Sequence, residues 1–268
     1  MVPLDAELPT VDTKSSASCL IYEGPERFVM KLAILPVCGL AALSLAAPAQ
    51  AQDWDFSASL YLYMAETETN IGNQSSTLSF SDALDNLDGS FMGLIEGNNG
   101  QWGFILDYMM TDISFDNSTP GPVFGGTETS VKTSIFSGFV TYRLYSTSVV
   151  QTDLLGGFRW YDTKTRIKLL PGTSPGQSRS RSDDWTDPII GVRSRFAIGG
   201  KWSGTALADI GGWSDRSTWQ IAVTADYSFN DNWVGSIGYR IIDVTNDEGP
   251  LDYGFRQSGP LLGLTYRF

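Results

Sequence analysis

The chain has 268 residues, a formal net charge of −12, no histidine and two cysteines. The acidic balance argues against nucleic acid as a partner. Because there is no histidine, a Ser-His-acid triad cannot form, and neither can a catalytic Asp-His pair. We therefore predict a protein that is not an enzyme and that needs no metal or cofactor.

The first apolar stretch of the chain has the pattern of a secretory signal peptide. It begins at Met30, carries one basic residue at Lys31, continues as an apolar run over 32–47 and reaches the small-x-small sequence AQA at 49–51. A basic start, a short apolar core and a small-residue cleavage site are the parts of such a peptide. The run is too short for a spanning helix of ~20 residues. The chain is therefore expected to be exported.

This signal divides the chain into three expected segments. Residues 1–29 have no place ahead of a signal peptide and are interpreted as a disordered extension from a start codon set too early; the alternative is an unusually long n-region. Residues 30–51 are expected to form the signal peptide, and residues 52–268 the mature chain. Both cysteines, Cys19 and Cys38, precede the expected cleavage site, so no disulfide framework is expected.

The mature chain consists of strand-like runs. No segment of it has eighteen consecutive apolar residues, so a membrane crossing would be made by strands. The ten predicted strands cover residues 53–65, 90–97, 101–115, 128–145, 149–167, 187–198, 201–213, 218–229, 233–245 and 253–268. These runs predict an all-β fold. Their even number is typical of a closed antiparallel transmembrane β-barrel, with ten strands favoured and eight or twelve still open.

The predicted connections alternate between short and long. Tight turns of Asn, Gly, Ser and Asp follow every second strand, and these residue types tolerate turn dihedrals. The other connections cover 66–89, 116–127, 168–186 and 246–252, with a short exception at 214–217. The Pro/Gly/Ser-rich stretch 168–186 is predicted to be a mobile loop. Short periplasmic turns and longer external loops are typical of bacterial barrels.

The last predicted strand shows the clearest alternation. Every second residue from Pro260 to Phe268 is apolar or aromatic, whereas the positions between are mostly small or polar. Successive side chains of a strand point to opposite faces, so one face is apolar up to the last residue. The terminal aromatics Tyr266 and Phe268 resemble the signal that outer-membrane barrels present to the insertion machinery, and we predict that they serve as an assembly signal.

Aromatic residues lie at the ends of many predicted strands. A soluble sandwich also alternates, so alternation alone does not decide between a soluble and a membrane protein. Girdles of aromatic residues at both interfaces distinguish the membrane barrel. The residues assigned to these girdles are Trp54, Trp102, Tyr142, Trp202, Trp219, Tyr227, Trp233, Tyr239, Tyr266 and Phe268.

Four stretches of the chain resemble a group of small outer-membrane β-barrel proteins of Gram-negative bacteria. They are Ser79–Met109, Trp185–Phe196 (WTDPIIGVRSRF), Ala208–Ser214 (ADIGGWS) and Ile237–Phe268, which ends in GPLLGLTYRF. The resemblance implies a barrel in the bacterial outer membrane, with membrane lipid, lipopolysaccharide and the insertion machinery as partners. The group has no firmly assigned activity, so the resemblance implies little about mechanism.

Charged residues occur on the predicted inward face of the barrel in equal numbers of each sign. They are Glu96, Asp107, Asp153, Asp209 and Asp226, with Arg159, Arg193, Arg195, Arg240 and Arg267. Charges in a narrow lumen are tolerated when they are paired. We predict a salt-bridged, largely filled barrel that acts as a structural or interaction protein. The alternative is a narrow channel for ions or small polar solutes.

The predicted loop 168–186 carries a second group of charges. Arg179 and Arg181 are candidates for contact with lipopolysaccharide phosphates or a surface partner, although such a run is more often only a hydrated loop. The acids at 82–88 lack the alternate ligand positions of an EF-hand, and those at 183–184 also fit a solvated loop. No metal site is predicted.

Overall fold

The computed structural model describes residues 54–72, 74–117, 123–248 and 253–268. These residues belong to one compact unit, 51–268. The predicted extension (1–29) and signal peptide (30–51) lie outside the described residues and stay predictions.

The described residues form strands and one short helix. In chain order they are β1 (Asp55–Tyr63), β2 (Glu66–Ile71), β3 (Gln74–Leu78), α1 (Phe80–Asp85), β4 (Leu87–Asn98), β5 (Trp102–Asn117), β6 (Phe124–Ser146), β7 (Val150–Pro171), β8 (Gln177–Gly199), β9 (Trp202–Gly211), β10 (Arg216–Ser228), β11 (Trp233–Asn246) and β12 (Tyr253–Arg267). Within these ranges no helix is long and apolar enough to cross a membrane. Each of the ten predicted strands is present.

Ten of the strands form a closed antiparallel barrel. Each strand from β4 to β12 pairs with the next along the chain, β1 pairs with β4, and β1 also pairs with β12 from Ser57↔Arg267 to Tyr63↔Leu261. The remaining strands, β2 and β3, form a hairpin that pairs with the start of β12. The predicted fold is confirmed, and closure removes the exposed edges that an open sheet would leave.

The barrel has a definite stagger. When paired residues are followed around the barrel from Ser57, through β4 and each later strand to β12, the path reaches Phe255. Phe255 pairs with Thr69 of β2, which is twelve residues beyond Ser57 in the chain. A stagger of this size tilts ten strands as barrel closure requires. Ten strands also leave a narrow interior, closer to the side-chain-filled barrels of eight strands than to channels of sixteen.

Tight turns join the strands at one end of the barrel, which we call the short-turn end. Gly100 shows how the sequence specifies one of them: it has φ of 90°, which glycine adopts without steric cost. The preceding Asn99 side chain accepts hydrogen bonds from the backbone N–H of Gln101 and Trp102 at 3.2 and 2.8 Å. Asn and Gly are therefore needed here for the turn itself.

Two predicted loops contain regular structure. The connection 66–89 holds the hairpin β2–β3 and the helix α1, whose N-cap Ser79 accepts a hydrogen bond from Asp82 N. The mobile loop predicted over 168–186 is wrong, because β7 continues to Pro171 and β8 begins at Gln177. Its Pro/Gly/Ser content obscured the end of β7 and the start of β8, where apolar and polar residues no longer alternate.

Strands β6, β7 and β8 extend well beyond the barrel. They have 23, 22 and 23 residues, whereas a tilted strand needs only about 9–11 to cross a bilayer. The part of β8 before Ile189 pairs with β7 but not with β9. Together with the end of β5, these extensions form what we call the external sheet. Because it lies opposite the short turns, it faces the cell exterior in a bacterial barrel.

The two faces of each strand differ as predicted. On β7, Leu155 and Arg159 are 0% exposed, whereas Leu154 and Phe158 are 40% and 42% exposed. On β12, Leu262 and Leu264 face outward at 43% and 46% exposure. An exposed apolar outer face is costly in water and favourable in lipid.

Two adjacent glycines on β7 provide a test of this packing. A Cβ on Gly157 would lie 1.9 Å from the carbonyl oxygen of Gly138, whereas a Cβ on Gly156 would meet nothing within 4 Å. Gly157→Ala is therefore expected to lower the free energy of unfolding by about 1–3 kcal/mol, as overpacking does. Urea unfolding in lipid vesicles measures this, with Gly156→Ala as the matched control. Equal stability of the two variants would contradict the close approach of β6 and β7.

Candidate functional site: the filled barrel interior

A charged layer crosses the middle of the barrel. It consists of Asp107, Arg159, Asp209, Gln220 and Arg240, and we call it the upper charged layer. Arg159 Nη2 donates to Asp209 Oδ2 at 2.9 Å, and Arg240 Nη2 donates to Asp107 Oδ2 at 3.1 Å. Gln220 joins the two pairs, because its Nε2 donates to Asp209 at 3.0 Å and its Oε1 accepts from Arg240 Nη2 at 2.6 Å. A single hydrogen-bonded network therefore links β5, β7, β9, β10 and β11.

Hydroxyl groups complete the upper charged layer. Tyr61 Oη donates to Asp107 Oδ1 at 2.5 Å, and Arg159 Nε donates to Ser137 Oγ at 3.0 Å. Buried ion pairs are stable only when further hydrogen bonds satisfy the remaining donors and acceptors. Here this is nearly achieved, although Asp209 Oδ1 has no hydrogen-bond partner among the described residues.

A second layer lies nearer the short-turn end. It consists of Glu96, Arg143, Asp153, Arg193 and Arg195, and we call it the lower charged layer. Arg193 contacts Glu96 through two nitrogens at 3.0 and 2.8 Å and Asp153 at 3.0 Å. Arg195 also contacts Glu96, and Arg143 contacts Asp153. Three guanidinium groups therefore share two carboxylates.

An apolar layer separates the two charged layers. Ile105, Phe139, Leu155 and Ile189 form a buried cluster, against which Leu94 and Leu207 pack. The order is visible on β7, where Leu155 lies between Asp153 of the lower layer and Arg159 of the upper layer. Solvent does not reach Leu155, which is 0% exposed.

Aromatic side chains fill the barrel on the external side of the upper charged layer. This aromatic cap is a buried cluster of Tyr63, Met92, Met109, Ile135, Tyr161, Trp185, Ile242, Val244 and Phe255. Tyr161 stacks on Trp185 with ring centroids 4.9 Å apart, and its hydroxyl donates to Thr218 Oγ1 at 2.8 Å. Trp185 Nε1 in turn donates to Asp187 Oδ2 at 3.2 Å. The cap is therefore bonded to polar groups as well as packed.

The structure brings eight of the ten predicted lumen charges into ion pairs. They are Glu96, Asp107, Asp153, Arg159, Arg193, Arg195, Asp209 and Arg240. Asp226 instead accepts hydrogen bonds from Thr205 and Thr224, each at 2.9 Å. Arg267 is exposed at the short-turn end. Neither of these two forms an ion pair among the described residues.

Several interior residues were absent from the predicted set. Two of them, Arg143 and Asp187, are charged. Asp187 forms an ion pair with Arg216 at 2.9 Å, and Arg216 also forms one with Glu248. Strand alternation could have placed Asp187 inside, because it lies an even number of residues from Arg193. The same alternation places Gln220 inside, because it lies between Trp219 and Ile221 and an even number of residues from Asp226.

A cavity of about 740 Å³ lies inside the short-turn end, and we call it the vestibule. Residues at the barrel rim line its mouth, among them Gly100, Thr147 and Phe268. Glu96, Arg143, Arg193 and Arg195 of the lower charged layer also line it. The vestibule is therefore a water-accessible pocket that ends at that layer.

Aromatic residues surround the outside of the short-turn end. Trp102 contacts Tyr142 with centroids 4.7 Å apart, Trp233 contacts Tyr266 at 4.9 Å, and Tyr266 contacts Phe268 at 5.1 Å. Phe268 is 77% exposed. These positions match an interfacial aromatic girdle. The role of Tyr266 and Phe268 as an assembly signal stays a prediction.

Basic residues follow the apolar belt on the outer face of β6 and β7. Phe136 and Trp160 are paired, and four residues further along each strand Lys132 and Lys164 are paired. Arg166 follows Lys164 on the same face. Like charges directly opposite each other are destabilising unless an anion or acid offsets them. Asp112 offsets Lys132 only weakly, at 4.0 Å.

Acids and other arginines lie near this basic group. Asp162 and Asp184 are paired across β7 and β8, and Asp162 lies two residues closer to the apolar belt than Lys164. Arg179 and Arg181, the predicted surface contacts, lie on the opposite face of β8, the face that carries Trp185. Arg181 there donates to Asp183 at 3.0 and 3.2 Å, and both side chains are exposed.

Solved structures with a similar arrangement are outer-membrane barrels. The outer-membrane protease OmpT from Escherichia coli is 13% identical, with a TM-score of 0.49 over 80% of this chain and 97% of that one. The attachment invasion locus protein Ail of Yersinia pestis is 14% identical, with a TM-score of 0.37 over 80% and 98%. The translocator domain of NalP from Neisseria meningitidis is 12% identical, with a TM-score of 0.34 over 80% and 88%.

These similarities are too low to transfer an activity from any of the three proteins. No protein-family model matches the chain, and no curated protein matches it either.

The class of protein follows from the barrel itself. A closed barrel satisfies its backbone hydrogen bonds internally, its apolar belt faces outward and is edged by aromatics, and the charged residues at the height of that belt lie inside. This is the arrangement that a lipid environment requires of a β-structure. The protein is a transmembrane β-barrel of a bacterial outer membrane.

Proposed function

We propose that this protein is a non-conducting barrel that anchors the external sheet at the cell surface as an interaction surface. The observation that supports this most strongly is the filled interior, where Arg159, Tyr161 and Leu155 are each 0% exposed. They belong to three successive layers, so a solute would have to displace all three to pass. A filled barrel has no transport role, and its long external strands are then the part available for contacts.

A narrow channel is the second candidate function. The vestibule favours it, because a pore needs such an aqueous entrance, and charged rings can tune ion passage. The balance of charges in the upper layer favours the filled barrel, since its two arginines face two carboxylates and a bridging amide. We also infer a non-catalytic role, because the chain contains no histidine to activate a nucleophile.

Lipopolysaccharide is the partner that the outer face of the external sheet fits best. Lys132, Lys164 and Arg166 come soon after the aromatic edge of the apolar belt, at the depth of phosphorylated head groups. Lys164 and Arg166 form no ion pair among the described residues, so they are available for phosphate. A cation near an anionic membrane surface contributes about 1 kcal/mol. The opposed acids Asp162 and Asp184 offset part of this attraction.

Charge removal on the two faces of the β7–β8 hairpin tests this partner. Lys164→Gln/Arg166→Gln is expected to weaken binding of lipopolysaccharide to the folded protein by about 2 kcal/mol, at about 1 kcal/mol for each cation. The matched control is Arg179→Gln/Arg181→Gln, which removes the same charge from the other face. Titration of the purified protein in detergent micelles with labelled lipopolysaccharide measures both. A loss confined to the second variant would place the lipid contact on the opposite face.

A further inference from the structure

The vestibule has an uneven distribution of charge. At its inner end, Arg143, Arg193 and Arg195 share only Glu96 and Asp153, so this layer carries one excess positive charge. Burial makes such an excess costly unless a counter-charge is present. Arg267 adds a further cation to the wall. The carboxylates of Asp55 and Asp226 also line the cavity, and Asp226 accepts a hydrogen bond from Thr205, the cross-strand neighbour of Arg195.

Hydrogen-bond donors in the lower charged layer also exceed acceptors. Arg193 Nε is buried and has no partner among the described residues, although both terminal nitrogens of Arg193 are bonded. Arg195 is the most accessible of the three arginines, with 29% of its side chain exposed, and its Nη1 is 3.7 Å from Asp153. Arg195 therefore retains donor capacity at the wall of the vestibule.

The rest of the vestibule wall is polar and suited to a small solute. Hydroxyl groups of Ser57, Ser59, Ser203, Ser236 and Thr265 line it. Its volume of about 740 Å³ lies within the range typical of small-molecule sites. Guanidinium groups bind carboxylate and phosphate with two parallel hydrogen bonds, and neighbouring hydroxyls can satisfy the remaining oxygens.

We propose that the inner end of the vestibule binds a small solute that carries a carboxylate or phosphate group, entering from the short-turn side, which is the periplasmic side. Arg195 supplies the main contact and Arg143 a second one, and the bound anion neutralises the excess charge of the lower layer. This site does not depend on whether the barrel conducts: in a filled barrel it is a closed pocket, and in a channel it would select anions.

Three single substitutions test the site, with inorganic phosphate and citrate as probes. Arg195→Gln leaves two guanidinium groups for two carboxylates and is expected to weaken binding by about tenfold or more, as loss of a charged hydrogen-bond donor does. Asp226→Asn removes a negative charge from the same cavity and is expected to strengthen binding. Arg181→Gln, on the external sheet, is expected to leave binding unchanged.

The measurement is equilibrium dialysis of the folded mature protein in detergent against labelled probe, at several salt concentrations. Heat-modifiable gel migration shows that each variant is folded, and a misfolded Arg195→Gln would be replaced by Arg195→Lys, for which a weaker, single-point contact is expected. Binding of either probe with the stated order of affinities supports the proposal. Equal affinity of the parent and Arg195→Gln, equal weakening by Arg181→Gln, or no saturable binding of either probe would overturn it.

Discussion

Replacing Arg159 by alanine is expected to lower the free energy of unfolding by about 3–5 kcal/mol, the cost of leaving a buried charge without its partner. Arg159 and Asp209 are both 0% exposed in their side chains and lie 2.9 Å apart. After the substitution Asp209 would keep only the hydrogen bond from Gln220. Urea unfolding of the protein in lipid vesicles, followed by tryptophan fluorescence, measures the change.

Two further variants separate burial from charge. Arg181 and Asp183 form an exposed pair at 3.0 Å, so Arg181→Ala is expected to cost no more than about 1 kcal/mol. Arg159→Met/Asp209→Leu removes both charges and is expected to be more stable than Arg159→Ala, because no unpaired carboxylate remains. Unchanged stability of Arg159→Ala would show that water reaches Asp209, and that the upper charged layer is not closed.

Replacing Tyr161 by alanine is expected to lower the free energy of unfolding by about 3–5 kcal/mol, the cost of removing a buried aromatic ring from a packed core. Tyr161 is 0% exposed and lies at the centre of the aromatic cap, stacked on Trp185 and in edge contact with Phe255 at 6.2 Å. The same urea unfolding experiment measures the loss.

The hydroxyl and the ring of Tyr161 can be tested separately. Tyr161→Phe removes only the hydrogen bond to Thr218 and is expected to cost about 1 kcal/mol. If Tyr161→Ala and Tyr161→Phe were equally stable, the ring would contribute nothing, and the cap would not be a packed structure.

Much of the barrel could be predicted from the sequence, because lipid and lumen impose opposite demands on alternate residues. Asp107 and Arg159 were assigned to the inward face from alternation alone, and the structure places both there. Closure through the last strand followed from the same pattern. The external ends of β7 and β8 could not be found in this way, since apolar and polar residues no longer alternate there, as Leu169 and Leu170 of β7 show.

The candidate site was less predictable than the fold. Alternation predicts that a side chain faces the lumen but not its height along the barrel axis. Because the strands are staggered, two lumen side chains can pair only where they lie at similar heights. Arg267 therefore appeared equivalent to Arg240, although Arg240 is buried beside Asp107 and Arg267 lies at the rim. The three-to-two ratio in the lower charged layer depends on Arg143, and only the register of β6 with β7 shows that Arg143 faces Asp153.

Single-channel conductance of the mature protein in a planar bilayer tests the filled barrel most directly. Heat-modifiable gel migration first confirms that the protein, produced from Gln52 onward, is folded. We expect a silent bilayer, because the apolar layer, the upper charged layer and the aromatic cap close the lumen in turn. Reproducible open steps whose size rises with salt concentration would contradict this, and would make the lower charged layer the selectivity region of a channel.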